Sequence, residues 1–289
     1  MVGTNVVACP LVPAERRQGV VAAGGISRPS HLSGAPRELA IEIMRCPILA
    51  ACLKEGGYQL ACYDVALGPG GPHQGHWVPD PWVGHLTEAP LLFVSSSTAG
   101  GWDATGDPSG PSVDSEDEAI LDWEDGGFDE GQRPGIAKGV YPVDSQGKLG
   151  KPVRYWEWAR ARAEEVLPGR VEPGVGYALT EVVHCNSTGE PQVWSALRTC
   201  ATLYLERVLA ASPARVVVVV GSVAKWAFQE HMGLEVLEHL RGPVEVAGRE
   251  RLVIAVRHPN SRGGVKSFQG QLSDAQLEQV KGALAATTS

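Results

Sequence analysis

The chain has no run of apolar residues approaching the roughly 18 that a membrane-spanning helix requires, so a membrane role is not expected. Positive charge is scarce: 25 Lys and Arg face 33 Asp and Glu, a formal charge of −8. That balance excludes a protein that coats nucleic acid by bulk cationic charge and leaves only a local basic groove for such a contact. No Gly-x-x-x-x-Gly-Lys-Ser/Thr loop occurs, which ranks a nucleotide-binding hydrolase low. The first residues, "MVGTNVVACPLVPAERRQGV", lack the layout of a secretory signal, so a cytoplasmic location is expected. Cysteines number six, and in a reducing compartment they read as free thiols or metal ligands rather than a disulfide framework. No internal repeat is visible.

What is present is a globular chain of 289 residues, 43% hydrophobic, able to bury a large core. Residues 1–36, rich in Gly, Pro and Ser and containing Cys9, read as a loose N-terminal arm, and 37–289 as a single domain. Within it, about 104–150 is an acidic surface insertion carrying "DSEDEAILDWEDGGFDE". Four apolar runs read as strands buried on both faces: 91–95, 177–183, 215–220 and 252–256. Helical spacing falls between them at 154–167, 193–210 and 222–232, and "SDAQLEQVKGALAA" opens on a Ser-x-x-Gln capping pattern. Strands alternating with helices predict an α/β fold, a three-layer α/β/α sandwich around a mostly parallel four-stranded sheet. Each strand runs into small or polar residues, "SSSTAGGWD", "HCNSTGE", "GSVAK" and "RHPNSRGG", and ligand sites form beyond the carboxyl ends of such strands. These four loops are therefore expected to line one cleft.

The ordered set "YALTEVVHCNSTGEPQVWSALRTC", "YLERVLAASPARVVVVVGSVAKWAF" and "VRHPNSRGG" resembles the uracil-DNA glycosylase superfamily, and within it the iron–sulfur branch. The resemblance spans roughly residues 40 to 285. "VRHPNSRGG" is similar to the superfamily's His-Pro-Ser loop with Asn260 in place of the serine, while "APLLFVSSSTAGG" keeps only the framework of its first motif. The resemblance implies a DNA partner and a four-iron, four-sulfur cluster held by Cys52, Cys62, Cys185 and Cys200, with Cys46 left as a buried small hydrophobe. Structural zinc on the same thiolates is the alternative. A monomer is expected.

The resemblance further implies that the enzyme flips a base out of DNA and hydrolyses its N-glycosidic bond without lyase chemistry. His258 would donate to a base carbonyl as charge develops, and Ser97 or Asp103 would position water or stabilise the cationic sugar. Glu181 stands where the family usually has an asparagine that reads uracil, and a carboxylate accepts from the exocyclic amine of cytosine. With Ser96 and Asn260 also at the base, Ala99 and Gly100 would leave room for a 5-substituent, as in the hypermodified cytosine of some phage genomes. Excision of such a base in anti-phage defence is the first expectation. Uracil repair is the second, and a non-catalytic DNA-binding or redox-sensing iron–sulfur protein the third. Phosphate contacts are expected from Arg257, Ser261, Arg262 and Lys266, with Arg154, Arg160 and Arg162 as further candidates, and Trp102 as a possible stacking residue.

Overall fold

The computed structural model describes residues 34–52, 62–63, 65, 79–99, 136–142, 148–169, 171–187, 190–236, 239–263 and 266–286. Residues 1–33 of the expected arm, and 104–135 and 143–147 of the expected insertion, lie outside them. Gly34, Ala35 and Pro36, assigned to the arm, begin helix α1 (Gly34–Met44), which buries Leu39, Ala40, Ile43 and Met44 at helical spacing. A short helix α2 (Pro47–Cys52) follows.

The centre is a five-stranded sheet in the order β4-β1-β5-β7-β6, made of β1 (Leu91–Ala99), β4 (Tyr177–Ser187), β5 (Val216–Val220), β6 (His239–Val246) and β7 (Arg249–Val256). Strand β1 pairs in parallel with β4 on one side and β5 on the other, β5 pairs in parallel with β7, and β6 is antiparallel to β7. The four parallel strands are the four apolar runs of the sequence; all five valines of β5 are buried. The fifth strand corrects the expected count of four. "HLRGPVEV" carries Gly242-Pro243 and several exposed residues, which read as a turn, yet an edge strand tolerates a proline because one of its sides needs no donor.

Alternate residues of each strand feed two apolar clusters. Leu92, Val94, Val182, Val217 and Val219 meet the helices α1, α4 (Glu190–Cys200), α5 (Glu206–Ala211) and α6 (Gly221–Met232). Leu91, Phe93, Leu179, Val218 and Ile254 meet α3 (Arg154–Val166) and α8 (Asp274–Ala285). Helices α4 and α5 are the single segment expected over 193–210, but Ala201–Leu205 between them form a π-helical turn directly after Cys200. Such turns re-aim side chains and occur often at functional sites. The described end of the insertion is folded: β2 (Ile136–Ala137) and β3 (Tyr141–Pro142) pair, and Val140 accepts from the Val153 amide at 2.8 Å. Among the described residues no helix is long and apolar enough to cross a membrane.

A short helix α7 (Phe268–Gln271) precedes α8, whose N-terminus carries the predicted capping box: the Ser273 hydroxyl accepts from the Gln276 amide and the Gln276 side chain accepts from the Ser273 amide. Ser273→Ala removes the side-chain acceptor and is expected to cost about 1 kcal/mol. A calorimetric scan should show the melting temperature falling by about 2–4 °C for a domain of this size.

Candidate active site and thiol cavity

Because β1, β4, β5 and β7 are parallel, their carboxyl ends lie on one side of the sheet; Ser95 and Glu181 sit within β1 and β4 at the level where β5 and β7 end, and Gly221 and His258 follow those two shorter strands. Glu181 is the register partner of Ser95. It is buried, and its Oε2 atom has no hydrogen-bond partner among the described residues. Burial and, after it, the nearby Asp80 carboxylate raise its carboxyl against the opposing Ser95 hydroxyl, to about 8 in all.

Asp80 arrives on a segment pinned along the outer edge of β4. Val83 bridges Leu179 antiparallel, the Thr180 hydroxyl donates to the Pro81 carbonyl at 2.9 Å, and the Asp80 amide donates to the His184 carbonyl at 2.9 Å. The His184 ring closes this set, donating from Nδ1 to the Asp80 carbonyl at 2.7 Å, since a carbonyl oxygen can only accept. Burial lowers that imidazole to about 4, so it stays neutral. Two carboxyl side chains, Asp80 and Glu181, are thus each about 6% exposed and close enough to act on one another.

The histidine loop is built by hydrogen bonds inward. His258 offers its carbonyl to the Ser261 amide at 2.9 Å and hydroxyl at 2.7 Å, and its Nδ1 accepts from the Asn260 amide at 3.2 Å. That last bond places the ring proton of the neutral tautomer on Nε2, leaving Nε2–H as a donor. Tyr155, in the first turn of α3, stacks on the His258 ring with 5.9 Å between centroids and 1° between planes, and Trp158 stacks on Tyr155 in turn. The Tyr155 hydroxyl is buried beside the Ser95 hydroxyl and senses the Glu181 charge. Gly221 has φ +84, and a Cβ there would lie 3.3 Å from that of His258, so the β5–α6 turn reaches the histidine only as glycine.

Of the residues expected at the site, Glu181 on β4 and His258 after β7 lie on the same side of the sheet with β1 and β5 between them, and Tyr155 reaches both; Ser96 and Ser97 are half-buried further along β1. Ala99 ends that strand; Gly100, Trp102 and Asp103 lie outside the described residues. The expected phosphate contacts separate into two groups. Arg257 and Arg262 are exposed, as are Asn260 and Arg154. Lys266 instead binds the carbonyls of Pro259 and Ser261, and its own carbonyl accepts from Trp158 Nε1 and Arg162, each at 2.9 Å. Arg162 also pairs with Glu165, and Arg160 with Glu164. Ser261, Lys266 and Arg162 therefore hold the shape of the loop.

The thiols gather on the opposite face of β4. A cavity enclosing about 300 Å³ of space free of protein atoms, part of it open to solvent, is lined by Cys46, Cys62, Cys185 and Cys200 together with Ile48, Leu49, Val183 and Tyr204. Cys52, preferred over Cys46 on sequence, is buried at the end of α2 and is not among the lining residues. The reason is local: α1 stops at Met44, so Cys46 falls in the connection to α2 rather than on the apolar helix face. Burial pushes the Cys62 thiol up to about 12 and raises those of Cys185 and Cys200, with the neighbouring sulfurs adding to the shift. The His184 amide donates to Cys200 Sγ at 3.5 Å. Among the described residues no group of three or more His, Cys, Asp or Glu side chains is arranged to hold a single metal ion.

Asp80, Ser95 and Tyr155 were missed from the sequence. An aspartate between two prolines in "VPDPW" and a tyrosine at a helix start carry no pattern of their own; only the sheet brings them to Glu181. Comparison of the chain with protein-family models and with curated proteins finds no match.

A carboxyl raised in the folded state keeps its proton where the unfolded chain has lost it, so stability falls as pH climbs from the ordinary 4.5 towards about 8 and is level above. Glu181→Gln removes that loss. Thermal melts at about pH 5 and pH 8 should therefore show the variant gaining on the wild type at the higher pH and much less at the lower.

Proposed function

We propose that this protein is a DNA glycosylase that extrudes a pyrimidine and hydrolyses its N-glycosidic bond, with a 5-substituted cytosine as the preferred base. The observation that carries the reading is that Tyr155 stacks on His258 while its hydroxyl faces Glu181, which puts a buried carboxyl and a histidine whose Nδ1 accepts on either side of one ring on the carboxyl side of the sheet. Glu181 accepts from the exocyclic amine of the flipped base. As the bond between base and C1′ breaks, His258 Nε2–H donates to the carbonyl oxygen on which negative charge develops. A water held near Ser97 adds to C1′, and its proton passes to solvent. Tyr155 keeps the imidazole plane fixed. Arg257, Arg262 and Arg154, exposed around this end of the sheet, face the phosphates, and the overall charge of −8 confines DNA to that patch. Uracil is the second reading, favoured by the suppressed ionisation of Glu181, since a neutral carboxylic acid also donates.

The same proposal places a four-iron cluster in the thiol cavity, held by Cys46, Cys62, Cys185 and Cys200. Four sulfurs surround a space rather than a point, and an amide donor meets one of them, as cluster thiolates accept. Buried thiols this hard to ionise become thiolates only beside a metal's positive charge. The cluster would cross-link the α1–α2 region to β4 and α4. Zinc remains the alternative occupant.

Incubation with oligonucleotides carrying cytosine, hydroxymethylcytosine, glucosylated hydroxymethylcytosine or uracil, followed by detection of abasic sites, tests the activity. Release from at least one modified cytosine is expected, and His258→Ala should slow the single-turnover rate by about 10²–10³ with little change in DNA affinity. No release from any of them would overturn the reading. Purified protein should carry about four irons per chain; Cys46→Ala should lose them and Cys52→Ala keep them. The reverse pattern would return the ligand set to Cys52.

A further inference from the structure

An ionised and a neutral carboxyl group present different edges to a pyrimidine. The ionised form only accepts, so it meets the amine of cytosine well but faces the N3 lone pair, and with uracil it faces the O4 lone pairs. The neutral acid carries one acceptor and one donor. It can take a cytosine edge, accepting from the amine and donating to N3, or a uracil edge, accepting from N3–H and donating to O4, because its proton can sit on either oxygen. It is then the functional equivalent of an asparagine or glutamine amide that can also turn over.

The groups around Glu181 favour the neutral form from every side. Asp80 faces it from the segment pinned to the outer edge of β4, bringing a second acid. Tyr155 faces it from α3 with a hydroxyl whose own ionisation is suppressed, first by burial and then by Glu181. Ser95 on β1 supplies a neutral hydroxyl, the one group here that favours the charge. Among these described residues there is no cation. The His184 ring is engaged with the Asp80 backbone carbonyl at 2.7 Å rather than with either carboxyl group. Meanwhile Glu181 Oε2 is buried without a hydrogen-bond partner among the described residues, and the Ser95 hydroxyl is the neutral group that serves both Glu181 and the Tyr155 hydroxyl, so one carboxyl oxygen is left for a ligand.

We infer that Asp80 is a positioning residue for base recognition: its buried carboxyl, carried on a backbone fixed to β4 through His184, sits against that of Glu181 so that Glu181 offers the pyrimidine edge a donor and an acceptor together. This rests on the reading of Glu181 as the base-facing side chain. It also revises why glutamate stands there, since a carboxyl kept neutral serves cytosine and uracil edges alike and leaves the choice of base to the space around C5.

The test is the equilibrium affinity for oligonucleotides carrying a non-hydrolysable 2′-fluoro nucleotide of cytosine or uracil, measured from about pH 6 to pH 9.5. Wild-type affinity for both should hold at low pH and fall by up to about tenfold per pH unit above an inflection near 8. Glu181→Gln, neutral at all pH, should bind as the wild type does at low pH and lose the inflection. Asp80→Asn should move the inflection down by about one unit or more, because removing a like charge eases ionisation. A flat wild-type profile in a protein that binds, or a folded Asp80→Asn variant with the wild-type inflection, would overturn the proposal. If Asp80→Asn does not fold, the comparison of wild type with Glu181→Gln decides whether the neutral acid binds. If neither oligonucleotide binds at any pH, it is the base-reading function that fails; thermal stability of the DNA-free proteins against pH then decides the role of Asp80 by itself, with a narrower window of pH-dependent loss expected in Asp80→Asn.

Discussion

Strand β1 is hydrogen-bonded on both sides to parallel partners, β4 and β5, and the placement of every candidate group follows from that pairing. Parallel pairing needs helical crossovers, which cover both faces of the sheet and force its strands to be apolar throughout. It also sends all the carboxyl ends to one side. The chain leaves β1 towards β4, then returns across the sheet to β5 and β7, so its connections diverge on either side of β1, the place where open parallel sheets commonly take their ligands. Glu181 and His258, 77 positions apart, reach the same end of the sheet for no reason visible in their local sequence.

Two chemically different places are joined by one short stretch of β4. Glu181, the proposed base-reading residue, is paired with Ser95, while Cys185, four positions on, lines the thiol cavity. His184 lies between them, binding Asp80 through its ring and carbonyl and Cys200 through its amide. A staple in the cavity would therefore steady the strand from which the base is read, and its loss is expected to loosen the Asp80 segment along with α1 and α2. Holding two acids together away from water has a cost in stability, and proteins retain such arrangements where function requires the altered ionisation.

The legible parts of the sequence were those whose signal is local. Runs such as "RVVVVV" and "LVIAV" announce buried strands by composition alone, and Ser273 with Gln276 announces a helix start by spacing alone. The edge strand β6 was hidden by its Gly-Pro step and its exposed face. Cys46 was set aside because an apolar pattern ran through it, although the helix ends two residues before it. Lys266, Ser261 and Arg162 looked like phosphate ligands because charge and hydroxyls beside a site read that way; only coordinates show their polar atoms turned to loop carbonyls and to Glu165. Glu181 was visible as a departure from an amide, but its protonation depends on Asp80, about a hundred residues earlier, and on desolvation that no local pattern encodes.

The account turns on the state of one carboxyl group, and carbon-13 NMR of glutamate side chains, with Glu181→Gln to assign the signal, observes that group without DNA. The account predicts a Glu181 carboxyl resonance that keeps the chemical shift of the neutral acid through neutral pH and titrates near 8, and near a lower value in Asp80→Asn. A Glu181 resonance that titrates at the ordinary 4.5 in the folded protein would contradict it.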